Sequence, residues 1–145
     1  MTAYTDSLGF NKGTAAYPAM DMPVVKMEVV LDFAAIAAAR AAAGVAALAA
    51  TDTLEVIPLP AGSTVLMAGA DVTTAEGATA TMDLGDTSGA TTYLSNVNLN
   101  SVAANGATVA APVFYAAADE LYITLDHNSI DTAVVRVWAI VADCN

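Results

Sequence analysis

Residues 54–86 of this chain read LEVIPLPAGSTVLMAGADVTTAEGATATMDLGD, and this stretch decides the fold class. It contains three short runs in which apolar and polar residues alternate, which is the pattern of half-buried β-strands. Turn residues separate the runs: Pro60 and Gly62 end the first, and Gly77 lies between the second and the third. Gly69, inside the second run, predicts a bulge or a close approach of a neighbouring group. The pattern therefore predicts consecutive antiparallel strands.

Runs of the same kind lie on both sides of this centre. They cover residues 26–33, a short run at 92–94, residues 120–126 and residues 133–142. The dipeptide Asn105-Gly106 predicts a turn. About seven or eight short strands with turns at this spacing predict a mainly β fold, an antiparallel β-sandwich or jelly-roll-like domain.

One Ala-rich segment interrupts the β pattern at residues 34–43. Its helix propensity is the highest in the chain, with Asp32 as the expected N-cap and Gly44 as the expected residue after the C-cap. The competing interpretation is an irregular Ala-rich loop. Because Arg40 lies near the middle of the longer apolar stretch and alanine inserts weakly into lipid, we do not expect a transmembrane span.

Residues 1–23 show no periodicity and lack the features of a signal peptide. Tyr4, Phe10 and Tyr17 are spaced along this segment between glycines and prolines. We predict an extended N-terminal arm whose aromatic side chains dock on a neighbouring subunit, with a flexible terminus as the alternative. The β-sandwich domain is then expected over residues 24–145.

Composition limits the function. The 145 residues include 15 acidic and four basic side chains, for a formal net charge of −11. Nucleic-acid and anionic-membrane partners are therefore not expected, because both require clustered lysine and arginine. Cys144 and His127 are the single cysteine and the single histidine, so neither a disulfide nor a zinc site is predicted. We expect no catalytic residue, cofactor or metal, and therefore no enzyme.

The run at residues 133–142 is apolar on both faces, which predicts that both sides of the strand are covered, by the Ala-rich segment or by another subunit. One face carries Val134, Arg136, Trp138 and Ile140. Arginine and tryptophan are enriched at binding hot spots, so these four residues are interface candidates. The alternative is a core tryptophan with the arginine extending to the edge.

Three segments carry a resemblance to a known group. LEVIPLPAG (54–62), VLMAGADVTTAEGATATMDLGD (65–86) and VRVWAIVADC (135–144) resemble head decoration, or cement, proteins of tailed bacteriophages, including those of the cyanophage type. The resemblance implies a virion structural protein made in the host cytoplasm. It would bind the outer surface of the major capsid protein lattice as a homodimer or homotrimer.

A second hypothesis is a tail-associated or receptor-binding β-sandwich of the carbohydrate-binding kind. Tyr93, Tyr115 and Tyr122 would then supply flat surfaces on which sugars stack.

Overall fold

The computed structural model describes residues 24–127 and 129–143. The predicted N-terminal arm, with Tyr4, Phe10 and Tyr17, lies outside the described residues. The elements in chain order are β1 (Val24–Asp32), α1 (Phe33–Ala42), β2 (Thr53–Leu59), β3 (Ser63–Thr74), β4 (Thr81–Asp86), β5 (Gly89–Asn98), β6 (Ala103–Tyr115), β7 (Asp119–Leu125) and β8 (Val134–Asp143). The predicted mainly β fold is confirmed.

The strands form two four-stranded antiparallel sheets. Sheet I has the order β1-β8-β3-β6, and sheet II has the order β2-β7-β4-β5. The chain therefore crosses repeatedly between the sheets, and β1 pairs with β8, the most distant strand in sequence. This strand order is that of an eight-stranded jelly roll, one of the two architectures that the strand spacing predicted.

The core lies between the two sheets and follows from strict alternation along the strands. On β8, Val135, Val137, Ala139 and Val141 are fully buried. On β7 the same is true of Leu121, Ile123 and Leu125. Apolar side chains from both inner faces thus form one continuous core, which supplies most of the stabilisation.

The Ala-rich segment forms the predicted short helix, one residue earlier than expected. The Asp32 carboxylate accepts a hydrogen bond from the Ala35 backbone N–H at 3.1 Å, which caps the first turn. Gly44 follows the C-cap with φ +69°, a conformation that favours glycine. Among the described residues, no helix combines the length and apolar character that crossing a bilayer requires.

The prediction of a turn at Asn105-Gly106 is wrong, because both residues lie inside β6. Asn105 pairs with Ala70, and Gly106 pairs with Gly69 on β3. The Trp138 indole lies over this part of the sheet, and a β-carbon at position 106 would make an ordinary contact with it at 3.7 Å. The pairing of β6 with β3 has overridden the local turn preference.

Two carboxylates fix connections between strands. Asp86 is almost fully buried, and its Oδ1 accepts hydrogen bonds from the Ser88 and Gly89 backbone N–H groups and from the hydroxyls of Ser88 and Thr92. Its Oδ2 accepts a bond from the Tyr115 hydroxyl at 2.5 Å. Burial alone would raise the pKa of Asp86, but these hydrogen bonds from Ser88, Tyr115 and Thr92 hold the pKa below its usual value.

Glu76 serves the loop before β8 in the same way. Its carboxylate accepts hydrogen bonds from the backbone N–H groups of Asp131, Thr132 and Ala133 at 2.9, 3.0 and 2.7 Å. Three donors that no strand pairs are thereby satisfied, which fixes the chain as it enters the centre of sheet I.

Candidate interaction surface

The four interface candidates on β8 lie together on the outer face of sheet I. Val134, Arg136, Trp138 and Ile140 alternate with the fully buried residues of the strand, and each is half-buried. We call the surface that they form with their cross-strand neighbours the Trp138 face. The described residues cover this side of β8 only in part, and its covering by another subunit stays a prediction.

Trp138 is the centre of this face. Its cross-strand partners are Glu28 on β1 and Gly69 on β3, and the next position along the row is Gly106 on β6. A β-carbon on Gly69 would lie 2.7 Å from the Asn105 carbonyl oxygen and still closer to the indole ring. The two glycines therefore form a shallow seat for the indole on the outside of the sheet, and Trp138 is not the core residue of the alternative interpretation.

An ion pair lies in the row beside the tryptophan. Arg136 Nη2 lies 2.7 Å from the Asp71 Oδ2 atom, and Arg136 Nε donates to the same oxygen at 3.2 Å. The hydrogen bond to Asp71 raises the pKa of Arg136. Two donors on one carboxylate oxygen hold the guanidinium in a fixed position beside Asp71.

A second ion pair lies on β1. Lys26 Nζ is 2.7 Å from the Glu28 carboxylate, and the hydrogen bond to Lys26 lowers the pKa of Glu28. Both side chains are nearly half exposed. The chain has a net charge of −11 and only four basic residues. Two of these four, Lys26 and Arg136, lie on the Trp138 face.

The exposed apolar side chains concentrate on the same face. Among the described residues, six large apolar side chains are exposed, and four of these occupy outward positions of sheet I: Val24, Val30, Met67 and Phe114. Phe114 is 59% exposed. Apolar and aromatic side chains with a paired arginine and a tryptophan are the composition of a protein–protein contact.

Sequence reasoning missed part of this face. Phe114 was not found because β6 was not recognised as a strand. The exposure of Val30 could have been predicted. The alternation of residues 26–33 places Val30 on the polar side of the strand, with Lys26 and Glu28.

The tyrosines proposed for sugar stacking are placed differently. Tyr93 and Tyr115 are buried, and their hydroxyls are hydrogen-bonded to each other. The prediction that they present stacking surfaces is wrong, because the core covers their rings. Tyr122 is half-buried and lines a shallow groove on the outside of sheet II with Glu55 and Glu120.

The groove on sheet II contains a carboxyl pair. A hydrogen bond with Glu55 raises the pKa of Glu120 above its usual value, and repulsion from the Glu55 and Asp119 charges adds to it. No group of three or more histidine, cysteine or acidic side chains within the described ranges is arranged to hold a metal ion.

Comparison with known proteins finds matches among solved structures. No family model and no curated protein matches the chain. A chain of the cyanophage Pam1 capsid asymmetric unit has the same fold, with a TM-score of 0.57 and 19% identity over 83% of this chain and 84% of that one. A chain of the acidic stable capsid structure of Helicobacter pylori bacteriophage KHP30 gives a TM-score of 0.52 and 13% identity, over 81% and 86%.

At these identities the likeness establishes the fold. Because each alignment covers more than four fifths of both chains, the matched chains are also similar in length to this one.

Proposed function

We propose that this chain is a virion structural protein of the decoration, or cement, type, which binds the outer surface of a major capsid protein lattice and stabilises the head. The observation that carries this proposal is the jelly roll shared, over most of the chain, with chains of similar length in two phage capsid structures. The sequence resemblance described above points to the same group.

The charge of the chain supports an outer position. Packaged nucleic acid presents a dense array of phosphates to the inner wall of a capsid, and a protein of net charge −11 is repelled from such a surface. The outer side of the shell has no such field. We therefore place the protein outside the lattice, added after synthesis in the host cytoplasm.

The Trp138 face is the surface proposed to contact the lattice. It combines an aromatic anchor at Trp138, a guanidinium held by Asp71 and the exposed ring of Phe114. Many copies on one shell strengthen the shell together, so a modest contact per copy is sufficient. The role needs no chemistry, and we propose that the protein is not an enzyme.

The test is binding to purified capsids that lack this protein, measured by co-sedimentation and by capsid survival on heating. We expect wild-type protein to bind and to raise the temperature at which capsids rupture. Trp138→Ala and Phe114→Asp should abolish or strongly weaken binding. The matched control is Tyr122→Ala, which removes a half-buried aromatic side chain from the outside of the other sheet.

Each variant is first checked for a native circular dichroism spectrum. Failure of the wild-type protein to bind capsids would overturn the proposed function. Binding of wild-type protein to glycans in place of capsids would favour the receptor-binding hypothesis. If Trp138→Ala and Tyr122→Ala weakened binding equally while the wild type bound, the proposed function would stand, but the assignment of the contact to the Trp138 face would be overturned.

A further inference from the structure

Strand β1 forms one edge of sheet I. Among the described strands it pairs only with β8, so the opposite edge of its backbone has no strand beside it. The strand is nine residues long, and Val24 and Val30 on it are 53% and 59% exposed. A long edge strand with exposed apolar side chains is a template for pairing with another strand.

The sequence of β1 is complementary to itself. When two copies run antiparallel about Met27, Lys26 of each copy lies opposite Glu28 of the other, and Val24 lies opposite Val30. Opposite charges and apolar side chains placed directly across a strand pair both stabilise it. The same two-fold axis places Met27 opposite Met27, and Val25 opposite Val29, on the core side.

Neighbouring registers lack this complementarity. Any other register must move the partner strand by two residues, because a shift of one residue would turn its outward side chains towards the core. One such shift places Lys26 opposite Lys26, and the other places Glu28 opposite Glu28, so each brings like charges together. The pattern therefore specifies one alignment.

We propose that β1 is a self-association strand, through which two copies of this chain form a two-fold symmetric dimer centred on Met27. The interface is isologous, so every contact occurs twice. The two copies of sheet I become one continuous eight-stranded sheet. Because the axis is perpendicular to that sheet, both copies of the Trp138 face lie on the same side, which makes the dimer bivalent for any flat partner.

The charges of β1 allow a test that separates contacts between chains from contacts within a chain. Lys26→Glu and Glu28→Lys each place like charges opposite one another in the dimer, so each variant alone should dimerise at least about tenfold more weakly. Mixed in equal amounts, the two variants should form heterodimers, since positions 26 and 28 are then both acidic in one chain and both basic in the other.

This recovery cannot come from the Lys26–Glu28 pair within a chain, because each variant has lost it. The double variant with both charges exchanged should also dimerise. Arg40→Glu is the matched control, since it makes the same change of charge on α1 and should leave the dimer intact.

The measurement is molar mass by light scattering over a range of micromolar concentrations, with full-length protein and no capsids. Dimeric wild-type protein with restored mass in the mixture is the expected result. A wild-type monomer or trimer would overturn the proposal, and so would a dimer that Lys26→Glu leaves unchanged. The inference does not depend on the proposed function, because capsid binding is measured separately.

Discussion

Trp138 and Gly69 are cross-strand partners, and the indole ring of Trp138 occupies the space that a side chain at position 69 would need. The Asn105 backbone closes this space from the other side, 2.7 Å from where a β-carbon at position 69 would lie. Position 69 therefore tolerates only glycine so long as the indole keeps its place.

Gly69→Ala should destabilise the fold, because the added methyl group overlaps both the indole and a backbone carbonyl that is fixed by strand pairing. Overpacking of this kind costs about 1–3 kcal/mol, a fall of several degrees in Tm. Gly106→Ala is the control: its β-carbon would meet the indole at 3.7 Å, an ordinary contact, and Tm should change little. Thermal unfolding followed by circular dichroism measures both, and equal effects would contradict the explanation.

Glu76→Ala should lower the free energy of unfolding by at least about 2 kcal/mol, since it leaves the backbone N–H groups of Asp131, Thr132 and Ala133 without their acceptor. Glu76→Gln keeps one acceptor oxygen and should cost less. Urea denaturation measures the series. If the alanine variant were as stable as the wild type, the loop before β8 would not depend on this carboxylate.

Burial raises the pKa of Tyr93 to about 12. The pKa of a tyrosine in the unfolded chain is about 10, so the folded state binds the proton more tightly. The stabilisation is fully present below about pH 10 and is lost as the pH rises towards about 12. Tyr93→Phe should therefore show a shallower loss of stability over this range, measured as the urea midpoint against pH. Parallel profiles for the variant and the wild type would refute this expectation.

Glu55→Gln should raise Tm at pH 7. The pKa of Glu120 is raised in the folded state. The pair with Glu55 therefore stabilises the fold when Glu120 is protonated, at a pH below the ordinary glutamate pKa, and this stabilisation is lost as the pH rises through the folded pKa of Glu120. At neutral pH the two carboxylates repel each other, and removing one charge relieves the repulsion. The gain should shrink at pH 4.

Glu28→Gln is the opposite case and serves as the control. Lys26 lowers the pKa of Glu28, so this carboxylate stabilises the fold above its unfolded pKa and loses that effect as the pH falls. Its amide variant should not gain Tm at pH 7. A gain as large as that of Glu55→Gln would mean that general charge reduction, and not the pair, is responsible.

The sequence predicted what alternation determines locally. The buried sides of β1 and β7 follow from every second residue being apolar. Both faces of β8 are apolar, so alternation alone left open whether Trp138 lies in the core or on the outside. Alternation does not specify which strands pair, so it left a sandwich and a jelly roll undistinguished. Strand β6 was missed because its alanine, asparagine and glycine residues have low β-propensity.

Other features depend on contacts between residues far apart in the sequence. The buried Tyr115 hydroxyl is satisfied by donating to Asp86, 29 positions earlier, and by the Tyr93 hydroxyl beside it. Nothing in the local pattern around either tyrosine distinguishes this arrangement from an exposed ring. The turn predicted at Asn105-Gly106 was likewise a local preference, which the pairing of β6 with β3 overrides.

The pairing of β1 with β8 has a consequence for how the protein folds. Sheet I cannot close until β8 has been synthesised, because β8 lies between β1 and β3 and not at an edge. Contacts between such distant segments form slowly, on a scale of about milliseconds to seconds. During translation the edges of β1 and β3 that pair with β8 stay unpaired until β8 has been made. Premature termination before Val134 would thus remove the middle of a sheet and leave two aggregation-prone edges in its place.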